Sequence, residues 1–229
     1  MWWMLPATLL IFWAARQLAM KIKHPICNPL VITVAILMPI LIVSNTPYVE
    51  YAKNTKLLSY TLDYAIVALA FPLYEVIVEI RKYWRSVLLI TSIASLSAMI
   101  SGVVISFLFG APDNITASLL PKSVTTPIAI TIADSLGGLP SIAAFCVTLA
   151  GTFGAILAYP ILHFMNIHNP LARGLSIGAI SHAMGTARCM EMSVIEGGYS
   201  SLSLIMCSIL TSIMAPFVYP AIRWLFYAF

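Results

Sequence analysis

Charge is what this sequence has least of. Only 9% of its 229 residues are charged, 12 basic and 8 acidic, against 61% hydrophobic. A soluble domain carries roughly 25% charged residues. So few charges cannot cover a water-facing surface of this size, which all but excludes a soluble globular enzyme. High apolar content and the lack of low-complexity runs exclude disorder. Cysteine is scarce too. Cys27, Cys146, Cys189 and Cys207 lie far apart, each inside or beside an apolar run. No CxxC or zinc spacing is present, so they read as small buried side chains, and no metal or cofactor is expected. P-loop, dinucleotide-binding, HExxH and GxSxG patterns are missing, and no enzyme activity is expected. The net charge of +4 comes from scattered residues at the ends of apolar runs. That distribution fits loops facing anionic lipid and gives no reason to expect nucleic acid.

What is there is long apolar runs. The fold expected is an all-α polytopic membrane protein, one transmembrane domain over 1–229, with about six to eight spans of ~20 residues each. Runs lie at about 4–20, 28–44, 58–79, 86–109, 139–165 and 200–228. The first has no basic n-region before it and no clear cleavage site after it, so it reads as a retained span. The basic turns at 21–24 and 81–85 are expected on the cytoplasmic side, with the polar loops 45–57 and 110–118 outside.

Two stretches do not read as ordinary spans: about 119–138 and 174–198. The first opens Leu119-Leu120-Pro121-Lys122-Ser123-Val124-Thr125-Thr126-Pro127 and runs on to Asp134 and Gly137-Gly138; the second centres on Ser181-His182-Ala183-Met184-Gly185-Thr186-Ala187-Arg188. A Lys, Arg or Asp at the bilayer centre costs about 2.5–3.5 kcal/mol, and a Leu returns only about 0.3–0.6. Neither stretch should insert alone. Each is expected to be a broken helix or a re-entrant hairpin, sheltered by protein or lining a wet cavity. Short echoes, Asn28-Pro29-Leu30 with Asn169-Pro170-Leu171 and Leu5-Pro6 with Leu139-Pro140, raise an inverted repeat, a common transporter plan.

The residues in these stretches suit a small anion. Pro121 and Pro127 remove amide donors and interrupt the helix around Ser123, Thr125 and Thr126, while Lys122 adds positive charge. A half-helix N-terminus attracts anions. In the second stretch Ser181, Gly185 and Arg188 fall at i, i+4 and i+7, on one helical face, with His182 and Thr186 next to them in sequence. Arg188 offers a fork for a carboxylate, and Glu191, three residues on, is placed to pair with it. His182 or Asp63 would couple a proton. Plainer readings stand beside these. Lys122 at an interface would snorkel to a headgroup, Arg188 and Glu191 would pair structurally, and the hydroxyls would bond their own helix backbone. His182 would join two helices by a hydrogen bond, and Asp63 would be solvated near the external interface. Gly174-Leu175-Ser176-Ile177-Gly178 is a GxxxG, read as a helix-packing motif.

The run 120–129, the run 181–188 with Glu191 after it, and Gly137-Gly138-Leu139-Pro140 resemble the LrgB/CidB family of bacterial membrane proteins. Asn28-Pro29-Leu30, Val67-Ala68-Leu69-Ala70 and Pro72-Leu73-Tyr74 also match, so the likeness covers nearly the whole chain. One departure is Asp63-Tyr64-Ala65-Ile66, where the family usually has a proline before the Val-Ala-Leu-Ala run. The resemblance implies a multi-pass protein of the bacterial inner membrane and two functions. One is a carrier, or carrier subunit, for small monocarboxylates such as pyruvate or glycolate, held at the two broken helices. The other is a holin-like or antiholin-like modulator of murein hydrolase export and cell lysis. It also implies a separate small membrane partner of the LrgA/CidA type, with homo-oligomers open.

Overall fold

A computed structural model describes residues 3–22, 29–68, 71, 74 and 77–227, which are helical with short connections and include no strand. The chain divides into two compact units, Met1–Ala68 and Leu69–Phe229.

The first unit holds α1 (Met4–Ile22), α2 (Pro29–Val43), α3 (Tyr48–Asn54) and α4 (Lys56–Ala68). Asn45, at φ 48°, stops α2, and α3 leaves at 118° to it. The polar loop expected at 45–57 is thus largely helical. Thr8 of α1 bonds the Tyr51 hydroxyl of α3 at 2.9 Å. Asn28 and most of the 67–74 motif lie outside the described residues, as does the Asp63 side chain.

The second unit holds α5 (Ile77–Leu108), α6 (Asp113–Leu119), α7 (Thr126–Ser135), α8 (Pro140–Phe164), α9 (Pro170–Met192) and α10 (Val194–Tyr227). Pro140 and Pro170 each occupy the first turn of a helix, where the missing N–H costs nothing. The Asn169 side chain caps α9, accepting from the amides of Leu171 and Ala172 at 2.9 and 3.3 Å. The basic cluster 81–85 is not an open turn. It rides on the first turns of α5, which kinks at Tyr83, with Arg85 over the Trp84 ring at 5.5 Å. Arg and Lys are good helix formers, so the cluster continues the helix. The loop expected at 110–118 likewise becomes α6, and the last run starts earlier than 200, at Val194.

Three helices are long and apolar enough to cross a membrane among the described residues: 81–108 of α5, α8, and 194–226 of α10. The α2–α3 pair makes a fourth if it counts as one bent span. The expected six to eight is not reached among the described residues: the run 4–20 does not qualify, α2 and α4 are only 15 and 13 residues long, and part of the run 58–79 lies outside the described residues. One core joins Met99 and Val103 of α5, Ala117 and Leu120 at the end of α6, Ile132 of α7, and Ala215 and Tyr219 of α10. The Tyr219 hydroxyl donates to the Asp113 carbonyl at 2.9 Å, and Arg223 pairs with the Asp113 carboxylate at 2.6 Å.

Between helices in lipid there is no hydrophobic drive, so close packing and hydrogen bonds do the work. The GxxxG face illustrates it. A Cβ at Gly174 would meet the Glu196 carbonyl and the Tyr199 side chain, and one at Gly178 would collide with the Ser200 carbonyl. The obstructing atoms are largely backbone and cannot swing away. Gly178→Ala is expected to cost about 1–3 kcal/mol by overpacking, read as a lower thermal midpoint of the detergent-purified protein. Ser97→Ala, on an exposed turn of α5, should stay within about 0.5 kcal/mol.

Candidate functional site

Both polar stretches are hairpins. In the first, α6 ends at Leu119, a turn covers 120–125, and α7 starts from Thr125 as its N-cap residue. The Leu139 amide donates to the Ser118 hydroxyl at 2.7 Å. The stretch 119–138 therefore leaves and returns at one place, as a hairpin.

The second reversal lies within α9. In a straight helix, positions eight apart are separated by about 12 Å. Here a Cβ on Gly185 would lie 2.8 Å from Ile177 Cγ2. Cys189 also shares a buried cluster with Ile177 and Leu162. The helix doubles back at His182, whose φ of 40° and ψ of −135° put a non-glycine residue in left-handed territory. Such a residue costs of order 1–3 kcal/mol and persists only where its surroundings hold it.

What holds it is α8. The His182 Nε2–H donates to the Val147 carbonyl at 2.8 Å, which fixes the Nε2–H tautomer. Gly151 lies beneath the imidazole and Gly154 beneath Ser181; a Cβ at either would strike the tip. The returning arm is clipped by Thr186, whose hydroxyl donates to the His182 carbonyl at 2.8 Å and bonds Ser200 at 2.9 Å. The other turn reaches the same residue, since Val124 and Ala129 form a buried cluster with Val147. Two hairpin tips thus converge on the middle of α8.

Lys122 stands at this convergence. Its Nζ donates to the Ala98 carbonyl of α5 at 2.5 Å and lies over Gly102. Among the described residues no carboxylate lies within ion-pair distance of it. Lys122 and Ser123, with Ser176, Ile177 and Ile180 of the outgoing arm of α9, line one cavity of about 360 Å³ against α8. Thr125 and Thr126 are half-buried at the start of α7, and no hydroxyl cap closes that helix. The Ser181 hydroxyl is fully buried and has no partner among the described residues.

The structure brings Lys122, Ser123, Ser181 and His182 to one region and leaves Arg188 and Glu191 out of it. The shared face of Ser181, Gly185 and Arg188 assumed a continuous helix, and the break at His182 removes that premise. Gly185 packs on Ser181, but Arg188 lies far along the returning arm and pairs with Glu191 at 2.7 Å. The two side chains are 49% and 61% exposed.

Sequence reasoning missed a second polar cluster. The Tyr159 hydroxyl donates to Glu196 Oε2 at 2.5 Å, and Arg173 Nη1 lies 3.6 Å from Glu196 Oε1. Arg173 Nε also donates to the Ile167 carbonyl at 2.7 Å, and Nη2 meets His168 Nδ1 at 3.1 Å. This cluster ties α8, α9 and α10 together through Glu196, a carboxylate only 7% exposed. The sequence showed only that Glu196 is an acid at the head of the last long apolar run; its partners, at positions 159 and 173, left no local pattern.

A family model described as "LrgB-like family" matches residues 8–221. An uncharacterized protein of Haemophilus influenzae is 41% identical over 94% of this chain and 93% of its own. The protein YwbG of Bacillus subtilis is 33% identical over 92% and 94%. The holin-like protein CidB of Staphylococcus epidermidis is 28% identical over 93% of each chain. No solved structure matches.

The two ion pairs should behave oppositely when cut. Glu196→Ala leaves Arg173 and the Tyr159 hydroxyl without their acceptor, and a loss of about 3–5 kcal/mol is expected for breaking a pair of this burial. Arg188→Ala should change stability by less than about 1 kcal/mol, because its pair is exposed. Thermal unfolding in one detergent compares them.

Proposed function

This chain belongs to the LrgB-like family, and from that premise we propose that it is a holin-like component of the bacterial inner membrane. In this reading it modulates permeability, and through it murein hydrolase export and lysis. What carries the reading is the match to holin-like protein CidB over 93% of both chains. The fold is compatible with it. Hairpins bedded on glycine and held at their tips by a few hydrogen bonds are the elements of a membrane protein that can shift without unfolding a span. A small membrane protein of the LrgA/CidA type is the partner we propose, on a separate chain, with further copies of this chain around it.

A second reading has one observation of its own. Lys122 carries a charge in a chain built to span a membrane, without a carboxylate partner among the described residues. Charges in such places mark ion and substrate paths. We therefore keep a carrier of small monocarboxylates such as pyruvate or glycolate as the alternative. The carboxylate would meet Lys122, Ser123, Thr125, Thr126 and Ser181, with His182 a candidate for the coupled proton and Asp63 another. Gly185 and Thr186 would support the tip without touching substrate. Arg188 and Glu191 would act outside that site.

The two readings part in one experiment. A strain lacking the gene is compared with strains carrying the wild type or Lys122→Ala, for autolysis and dye leak. In parallel, pyruvate flux is measured in liposomes holding the protein and its partner. The holin-like reading expects altered lysis on deletion that persists when carboxylate levels are clamped. Unaltered lysis and leak would overturn it. The carrier reading expects flux that falls at least about tenfold in Lys122→Ala, the scale of a lost charge-assisted bond, and unchanged flux would end it.

A further inference from the structure

Helix α10 carries polar groups where lipid disfavours them. Glu196, Ser200, Ser203, Cys207 and Thr211 recur at helical spacing, so they share one face, and all five are buried. Two turns further on the face is dry, where Ala215 packs with Met99 and Val103 of α5.

Helix α5 runs beside α10 in the same direction. Val87 packs with Tyr199, the Thr91 carbonyl accepts from the Cys207 thiol at 3.8 Å, and Met99 shares a core with Ala215. That register puts Ser95 of α5 level with the turn of α10 that holds Cys207 and Ser208. Ser95 and Ser208 are 3% and 6% exposed, and neither hydroxyl makes a hydrogen bond among the described residues. The Cys207 thiol beside Ser95 is a weak partner at best. A hydroxyl in a spanning helix has a ready acceptor in the carbonyl one turn back. Thr91, Ser201 and Ser212 of these same two helices use it. Ser95 and Ser208 do not, and they stay buried between helices.

The Lys122 ammonium reaches the same stretch of α5. It is turned to the Ala98 carbonyl, one turn along from Ser95, and that carbonyl takes one of its three N–H donors. Two unbonded hydroxyls and an ammonium with donors to spare therefore fall on one short stretch of the seam. The helices are close enough at Thr91 for a thiol to reach a backbone carbonyl, so only a small ligand fits. A metal cation there would be repelled by the ammonium. Water both donates and accepts, and a buried water needs two to four polar partners.

We propose that the seam between α5 and α10 is an internal water site, held by Ser95 and Ser208 and reaching the Lys122 ammonium. Water there solvates a charge that has no carboxylate within ion-pair distance among the described residues. Met99, Val103 and Ala215 close the site on one side, so it is a pocket of hydration and not a pore. The inference rests on neither functional reading, and neither flux nor lysis enters its test.

The test is synchrotron hydroxyl-radical footprinting of the whole protein in phosphatidylcholine nanodiscs, read by mass spectrometry, because X-rays make radicals from bound water where it sits. Cys207 and Met99 are a matched pair, sulfur side chains only 2% and 1% exposed on the same pair of helices. Normalised to the free amino acids, Cys207 should oxidise about tenfold faster than Met99 in the wild type, since one adjoins water and the other does not. Ser95→Val with Ser208→Val removes both hydroxyls and fills their space, and should bring Cys207 down to the Met99 rate. Ser95→Ala is the milder variant and should slow Cys207 in the same direction. Lys122→Met removes a third partner of the water and should about halve the Cys207 rate. Equal rates for the two sulfurs in the wild type, both slow or both fast, overturn the proposal without any variant. A Cys207 rate indifferent to both serine changes overturns the site, and one indifferent to Lys122→Met overturns its reach to the ammonium.

Discussion

Everything in the second unit follows from one constraint: a backbone that bends inside an apolar slab must find its hydrogen bonds within the protein. Two hairpins bend within this unit, and both bring their tips to Val147. The Val147 carbonyl lies on an unbroken turn of α8 and still accepts from His182. That bond, with Thr186 on Ser200 behind it, is what lets a left-handed histidine persist at a reversal. Take it away and the strained residue has no reason to stay. The shape of the cavity, the position of Lys122 and the burial of Ser181 all depend on the tips remaining where α8 holds them.

Glycine does for shape what the hydrogen bonds do for satisfaction. Gly151 and Gly154 on α8 receive the second tip, Gly102 on α5 receives the Lys122 ammonium, and Gly174 and Gly178 receive α10. In each case a neighbouring atom already occupies the volume a side chain would need. The helices of this unit are therefore close enough for backbone carbonyls such as Ala98 and Leu175 to serve as acceptors for side chains of other elements. Apolar bulk sits elsewhere, on the outer faces, where Phe145, Phe153 and Phe217 are exposed. This is the inside-out distribution of a protein whose solvent is lipid.

The class of fold could be read from composition, because 9% charge leaves few alternatives. The two broken stretches could be read from prolines, glycines and charges whose insertion cost no run of leucines repays. The geometry of the second break could not. Nothing in Ser181-His182-Ala183 announces a left-handed histidine, and a helical wheel drawn through it put Arg188 beside Ser181 when the chain had already turned back. Glu196 was overlooked for a related reason. Its role comes from Tyr159, 37 positions away, and from Arg173, and only packing makes them neighbours. Pairings set by tertiary contact leave no local pattern, whereas breaks set by backbone chemistry do. The segments around 81–85 and 113–119 show the converse error, since polarity marked loops where helix-forming residues simply continued or began a helix.

The order in which the chain is made adds a demand of its own. The arms of α9 leave the ribosome before α10, yet Ser200, Glu196 and the backbone that fills the Gly174–Gly178 groove all belong to α10. During synthesis the hairpin must therefore wait, polar and unclasped, until the following span arrives.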